Sequence, residues 1–260
     1  MKKVDILGAI AGDIIGSRYE IFPTKRYDFC LFTSDMRFTD DTVMTIAIKD
    51  WLDNDPLHDK NRLTGIMQAY GRAYPYCGYG GKFRKWIWAS DPVPYHSWGN
   101  GSAMRVSPVG FKFKSLEETL KIARLSAEVT HNHPEGIKGA QAVAAAIFLA
   151  RQGESKESIR EYIQYTFKYN LDRTCDELRP GYKFEVSCQE SVPQSIIAFL
   201  DSKNYEDAIR LAISMGGDAD TMACITGGIA AAFYKEIPEE IYSFCMNKLP
   251  ERIRKQLTKI

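Results

Sequence analysis

Apolar residues recur at helical spacing along most of this chain, and two of the helix-like runs carry stripes of very small residues. Gly8, Ala9, Gly12 and Gly16 mark the first run. Ala223, Gly227, Gly228 and Ala231 mark the second. A glycine inside a helix costs about 1 kcal/mol relative to alanine. These glycines therefore serve either close packing of helix axes or a ligand. Val4 to Ile15 is apolar all round, as a buried helix is, and that helix is expected to end near Gly16. Further helical runs are Thr42–Leu52, Arg62–Tyr74, Gly139–Ala150, Lys156–Tyr169, Val192–Leu200, Tyr205–Ser214, Thr221–Tyr234 and Glu239–Leu249. Ser115-Leu116-Glu117-Glu118 is a capping box that opens a helix running to about Thr130, and Pro134 starts another. Strand signals are confined to Tyr182–Val186. Without alternating strands and helices a parallel sheet is excluded, and the expectation is one all-α domain over residues 1–260.

At 260 residues the chain is long enough for one large domain or two small ones, and 45% hydrophobic residues supply a full core. A net charge of +1 offers no electrostatic case for nucleic acid or an anionic membrane surface. The local basic trio Lys82, Arg84 and Lys85 reads as a solvated helix face. Six scattered cysteines form no C-x-x-C pair, which argues against zinc ribbons and thioredoxin-like chemistry. Cys224 and Cys245 read as small buried hydrophobes. The N-terminal residues make a poor signal peptide, and Met222–Tyr234 is too short to span a bilayer. A cytoplasmic protein with reduced thiols and no membrane partner is expected.

Two acidic clusters lie far apart in sequence: Thr39-Asp40-Asp41-Thr42, and Gly216-Gly217-Asp218-Ala219-Asp220-Thr221. Asp and Thr are common helix N-caps, and capping accounts for one oxygen in each cluster. It leaves the second carboxylate and the paired glycines unexplained. Carboxylate and hydroxyl oxygens are hard ligands that suit Mg²⁺, Mn²⁺ or Ca²⁺ rather than zinc. Brought together, four carboxylates repel one another unless cations neutralise them. The two clusters together favour a dinuclear metal site.

Three segments rich in glycine, proline and aromatics read as functional loops: Gly16–Phe38, Tyr74–Gly81 and Ser90–Met104. Glu20 is expected in the first, as a gate, a ligand or an acid–base group. Asp13, in an otherwise apolar helix, needs a partner if buried and is expected to tie a nearby loop. Gly78-Tyr79-Gly80-Gly81 precedes a helix start and lets backbone N–H groups approach an anion. Ser97-Trp98-Gly99-Asn100 offers neutral hydrogen bonds and a ring that either stacks on a base or fills the core. Arg105 is expected to pair with an internal acid rather than a phosphate. Of His131 and His133, one is expected to contact substrate and the other to be solvated or structural, since zinc lacks further ligands nearby. Cys188-Gln189-Glu190-Ser191-Val192-Pro193-Gln194 reads as a helix entry without chemistry of its own.

Taken in order from Gly8 to about Tyr234, these segments resemble the ADP-ribosylglycohydrolase (ADP-ribosylhydrolase) family, which includes the enzyme that reactivates ADP-ribosylated dinitrogenase reductase. Thr39–Thr42, Gly99-Asn100-Gly101-Ser102-Ala103-Met104-Arg105 and Gly217–Thr221 carry most of the resemblance. It implies an all-α orthogonal multi-helix bundle holding two Mg²⁺ or Mn²⁺ ions. The ligands would be Thr39, Asp40 and Asp41 on one side and Asp218, Asp220 and Thr221 on the other. Glu20 matches the family's mobile glutamate near the metals, with Asp41 and Asp218 as the other catalytic carboxylates. Gly78, Gly80, Gly81 and Ser97 look like diphosphate contacts. Trp98, Asn100 and His131 look like further substrate contacts. The implied reaction is hydrolysis at C1″ of ADP-ribose attached to a protein or another conjugate, with no stable nucleic-acid partner. In arginine-acting relatives an acidic residue is expected just after the glycine segment. Lys82-Phe83-Arg84-Lys85 stands there instead, so serine, nucleic-acid and O-acetyl linkages stay open beside arginine. A silent ADP-ribose binder and a different two-metal nucleotide hydrolase are the alternatives. The oligomeric state is not specified.

Overall fold

The computed structural model describes residues 5–258. Among these residues there are fifteen helices and no strand. They are α1 (Leu7–Ile21), α2 (Asp40–Asn54), α3 (Lys60–Ala73), α4 (Gly81–Trp88), α5 (Gly101–Met104), α6 (Ser107–Lys112), α7 (Leu116–Glu128) and α8 (Pro134–Gln152). They continue with α9 (Lys156–Phe167), α10 (Cys175–Leu178), α11 (Cys188–Asp201), α12 (Tyr205–Ser214), α13 (Ala219–Tyr234), α14 (Glu239–Lys248) and α15 (Glu251–Thr258). The all-α expectation holds. No helix of the described residues is long and apolar enough to cross a membrane.

The centre of the bundle is α13, which packs against α1, α8, α11 and α12 and is buried nearly throughout. The small-residue stripes account for its closest contact. A Cβ on Gly12 would lie 2.0 Å from the Ala223 carbonyl oxygen, and one on Gly8 would lie 2.3 Å from the Ala231 Cβ. A Cβ on Gly16 would lie 2.5 Å from the Ala219 carbonyl oxygen. The rising numbers on α1 meet falling numbers on α13, so the two helices run antiparallel with their backbones touching. Packing, rather than a ligand, explains these glycines. It also sets the end of α1 beside the start of α13, which is where the site forms.

Three local expectations are corrected. Helix α1 does not stop at Gly16 but runs on to Ile21, because Gly16 is itself part of the contact with α13. Glu20 therefore stands on the last turn of a helix rather than in a loop. Tyr182–Val186 forms no strand; it is a strap joined to the Trp98–Asn100 segment by the isolated bridge Gly99–Ser187. Helix α11 spans Cys188–Asp201, longer than the periodic run Val192–Leu200, because the helix entry read at Cys188–Gln194 is already helical, and it holds Pro193 in its interior. At α7, Ser115 Oγ accepts from the Glu118 N–H, one of the two bonds of the expected capping box. Cys224 and Cys245 are buried, and among the described residues all six cysteines are unpaired.

Candidate active site

The first acidic cluster is placed by a buried carboxylate on the neighbouring helix. Asp13 Oδ1 accepts from Thr39 Oγ1 at 2.7 Å, and Oδ2 accepts from the Thr39 and Thr42 backbone N–H groups at 3.0 Å each. Thr42 Oγ1 donates to Oδ2 as well. Asp13 is fully buried, and four donors satisfy it, which ties α1 to the start of α2 as its position in an apolar helix predicts. Thr39 caps α2 by accepting from the Asp41 N–H at 3.3 Å. Capping thus uses Thr39 and spares Asp40 and Asp41.

The second cluster arrives on α13. Gly216, with φ of +68°, turns the chain just before it. Asp218 sits at the N-cap position yet makes no capping bond. Its Oδ2 instead accepts from Asn100 Nδ2 at 2.8 Å. Thr221 Oγ1 donates to Asp41 Oδ2 at 3.3 Å, which joins the two clusters directly. Glu20, from the end of α1, approaches Asp218 and Asp220 closely enough for one oxygen of each to lie within 4.8 Å of the others.

These carboxylates line one cavity of about 440 Å³. Burial pushes the carboxyls of Asp41 and Asp220 well above the usual range, and the surrounding carboxylates push them further. Half-buried Asp40 is raised in the same way, with Asp13 the largest charged contributor. Asp218 is raised by burial, and Glu20 by burial and then by Asp218. Asp41 Oδ1 is buried and accepts no hydrogen bond. An orphaned carboxylate oxygen among repelling carboxylates fits a hard divalent cation, which would supply the missing partner and reduce the repulsion. The donor set is all oxygen, as Mg²⁺ or Mn²⁺ requires.

The other walls carry the remaining candidates. Gly78, Gly80, Gly81, Ser97, Asn100 and His131 all line the cavity. Gly78 has φ of +95°, and a Cβ there would lie 3.3 Å from Asp40 Oδ1. Gly80 and Gly81 face open space and start α4, which has no side-chain cap, so its first N–H groups are free for a ligand. Two expected residues lie outside the lining. Thr39 sits behind it, bonded to Asp13. Trp98 is 51% exposed, with its ring against His133 at 5.6 Å. It is therefore neither a core tryptophan nor part of the wall. His133 caps α8, the structural role left to the second histidine.

Arg105 meets no acid. It is buried and donates to the carbonyl oxygens of Gly101 and Ser126 and to Thr130 Oγ1. Sequence reasoning missed Tyr95, Phe184 and Val186, which complete the apolar wall. Phe184 and Val186 lie on the strap before α11, where the alternation of Tyr182–Val186 reads as a strand and not as part of a cavity wall. Lys82, one of the three basic residues read as a solvated face, is exposed and also borders the cavity.

The sequence profile of the ADP-ribosylglycohydrolase family matches residues 6–259. ADP-ribosylhydrolase ARH3 of Homo sapiens is 27% identical over 92% of this chain and 87% of its own length. ADP-ribosylarginine hydrolase Tri1 of Pseudomonas putida is 26% identical over 88% of this chain and 69% of its own. The solved structure of an ADP-ribosylglycohydrolase-related protein complex superposes with a TM-score of 0.75 at 20% identity. It covers 98% of this chain and 96% of that one, a likeness of fold. With the profile spanning almost the entire sequence, this chain belongs to the ADP-ribosylglycohydrolase family.

Proposed function

We propose that this protein is a metal-dependent ADP-ribosyl hydrolase that releases ADP-ribose from a modified target by cleaving the glycosidic bond at C1″. The observation that carries the reading is the meeting of carboxylates from α1, α2 and the start of α13 in one cavity, with Asp41 Oδ1 buried and unpaired. Asp40, Asp41, Asp218, Asp220 and Thr221, with the remaining lone pair of Thr39, would hold two Mg²⁺ or Mn²⁺ ions. When bound, such ions supply Lewis-acid polarisation of oxygens and a template for the distal ribose and a water.

The chain's own groups then have distinct tasks. The carboxylates stabilise positive charge developing at C1″ as the bond to the target lengthens, as in other glycoside cleavage. Glu20 is exposed at the mouth of the site, with its carboxyl raised by burial and Asp218. Both features support a role for Glu20 in moving a proton between water, leaving group and solvent. Asn100 donates to Asp218 and orients it. The N–H groups at the start of α4, with Ser97, receive the diphosphate. Binding so far from C1″ holds the reacting sugar in position. The six unpaired cysteines are consistent with a cytoplasmic location.

The deciding experiment is hydrolysis of ADP-ribose conjugates linked through arginine, serine and nucleic-acid ends, each with Mg²⁺ and with chelator. Metal-dependent release of ADP-ribose from one of them supports the reading and identifies the linkage. Tight ADP-ribose binding without release from any conjugate replaces it with a silent binder. Release of phosphate in place of ADP-ribose replaces it with a different nucleotide hydrolase.

A further inference from the structure

Beside the carboxylates, a second wall of the cavity contains a buried cation and a buried imidazole. Arg105 is 1% exposed and His131 5% exposed, and both line the cavity. Among the described residues no carboxylate pairs with Arg105. Its charge is stabilised by carbonyl oxygens of Gly101 (3.1 Å) and Ser126 (2.9 Å), the latter in the last turn of α7, where the helix dipole favours a cation. Its remaining contact is Nη2 donating to Thr130 Oγ1 at 2.9 Å. Thr130 Oγ1 in turn lies 2.7 Å from His131 Nδ1.

The direction of that last bond follows from counting hydrogens. Thr130 is fully buried, and Arg105 and His131 are the partners of its hydroxyl. A guanidinium only donates, so one hydroxyl lone pair is occupied by Arg105. If His131 Nδ1 also donated, the hydroxyl hydrogen would be left without an acceptor in a buried place, at a cost of about 1–3 kcal/mol. If the hydroxyl donates to a bare Nδ1, the Thr130 hydroxyl and His131 Nδ1 are both satisfied. The imidazole must then carry its proton on Nε2. A doubly protonated ring is disfavoured independently, since burial and then the Arg105 charge push the imidazole well below its usual range. Nε2 faces the cavity between Gly99 and Gly101, where a Cβ on Gly101 would lie only 3.1 Å away.

We infer that Arg105 and Thr130 are positioning residues that hold His131 as a neutral imidazole with its proton on Nε2, so that it presents a fixed hydrogen-bond donor to an acceptor oxygen of bound ADP-ribose. The ligand in this inference rests on the proposed function; the tautomer does not. A neutral donor fixed in advance loses no orientational freedom on binding. It also avoids a second positive charge against Arg105.

The test begins with the wild-type protein. Long-range ¹H–¹⁵N correlation of its imidazoles, with the His131 signals assigned by their disappearance in His131→Gln, is expected to show a pyrrole-type, protonated Nε2 and a bare Nδ1 at neutral pH. A protonated Nδ1 overturns the inference whatever the ligand proves to be. Thr130→Val keeps the shape and removes the hydroxyl. It is expected to lose the fixed tautomer and to weaken ADP-ribose binding about tenfold by calorimetry, whereas Thr130→Ser keeps both. Unchanged tautomer and affinity in Thr130→Val also overturn it. If wild-type protein with the predicted tautomer binds no ADP-ribose, the proposed function fails and the donor role falls with it, while the Arg105–Thr130 relay stands.

Discussion

The cavity has two buried charged walls, and they are built on opposite principles. On the His131 wall a lone cation is surrounded by carbonyl oxygens and a hydroxyl, so the protein itself satisfies the charge except for an unpaired Arg105 Nε. On the acidic wall, like charges crowd together and Asp41 Oδ1 is left with no donor. Burial of charge is tolerated when the fold provides the partners. Where it provides more of the same charge, the carboxyls are pushed well above their usual range. Asp13 makes the contrast sharper. It is as deeply buried as Asp41 and only one helical turn from Gly16 at the α13 contact, yet four protein donors satisfy it. Asp13 is structural by its bonds, whereas Asp41 has a donor on Oδ2 alone and leaves Oδ1 available.

The largest expected effect breaks the acidic wall. Asp41→Asn or Asp218→Asn should lower ADP-ribose release by about a thousandfold or more, on the scale of lost transition-state stabilisation. The melting temperature in chelator should hold or rise, because one repelling charge is gone. Wild-type-like turnover in either pure variant would remove these residues from the mechanism.

Asp13→Ala should do the reverse. Leaving four donors buried and unpaired is expected to destabilise the fold by about 3 kcal/mol or more, read from urea denaturation. A loss confined to turnover, with stability intact, would contradict the structural assignment of Asp13.

Next in size is Gly12→Ala, whose Cβ would lie 2.0 Å from the Ala223 carbonyl oxygen. Overpacking α1 against α13 should reduce stability by about 2 kcal/mol. Because this contact aligns the two halves of the site, metal affinity should fall too. Gly65→Ala on α3, where the added Cβ meets nothing within 4 Å, is the control. It should raise stability by up to about 1 kcal/mol.

The pH dependence sharpens the comparison most finely. Asp40, Asp41 and Asp220 carry raised carboxyls, so the folded state holds protons that the unfolded chain has released above the ordinary value of 3.8. In chelator, stability should therefore fall as pH rises through the acidic range toward neutrality. Saturating Mg²⁺ or Mn²⁺ should offset that fall at neutral pH, by about 2.7 kcal/mol at a hundred times Kd. Thermal melts across pH, with and without metal, read both. A stability that rises with pH in chelator would mean that the carboxylates are not coupled as described.

Much of this was legible in the sequence because it is written in local patterns. Helical periodicity located most of the long helices, and the position of Asp13 in an apolar run announced a buried partner. The doubled carboxylates beside Thr39 and Gly217 marked a site beyond what capping requires, and they do line one cavity. The errors fall where a residue's role depends on something distant. Glu20 was expected in a loop because glycine normally ends helices, and only the contact of Gly16 with Ala219 and Asp220 carries α1 further. Arg105 was expected to find an acid, but its partners are backbone carbonyls, which no sequence pattern displays. Phe184 and Val186 reach the cavity on an irregular strap, although their alternation with Lys183 and Glu185 pointed to a strand.

The sequence by itself determined the helical class and the all-oxygen, acidic character of the candidate site, since these follow from residue identity and spacing. Tertiary structure alone decided which carboxylates are satisfied and which are not. That distinction depends on whether α1, α2 and α13 bring donors or further charges to each oxygen, and it is set by helix packing between residues about 200 positions apart.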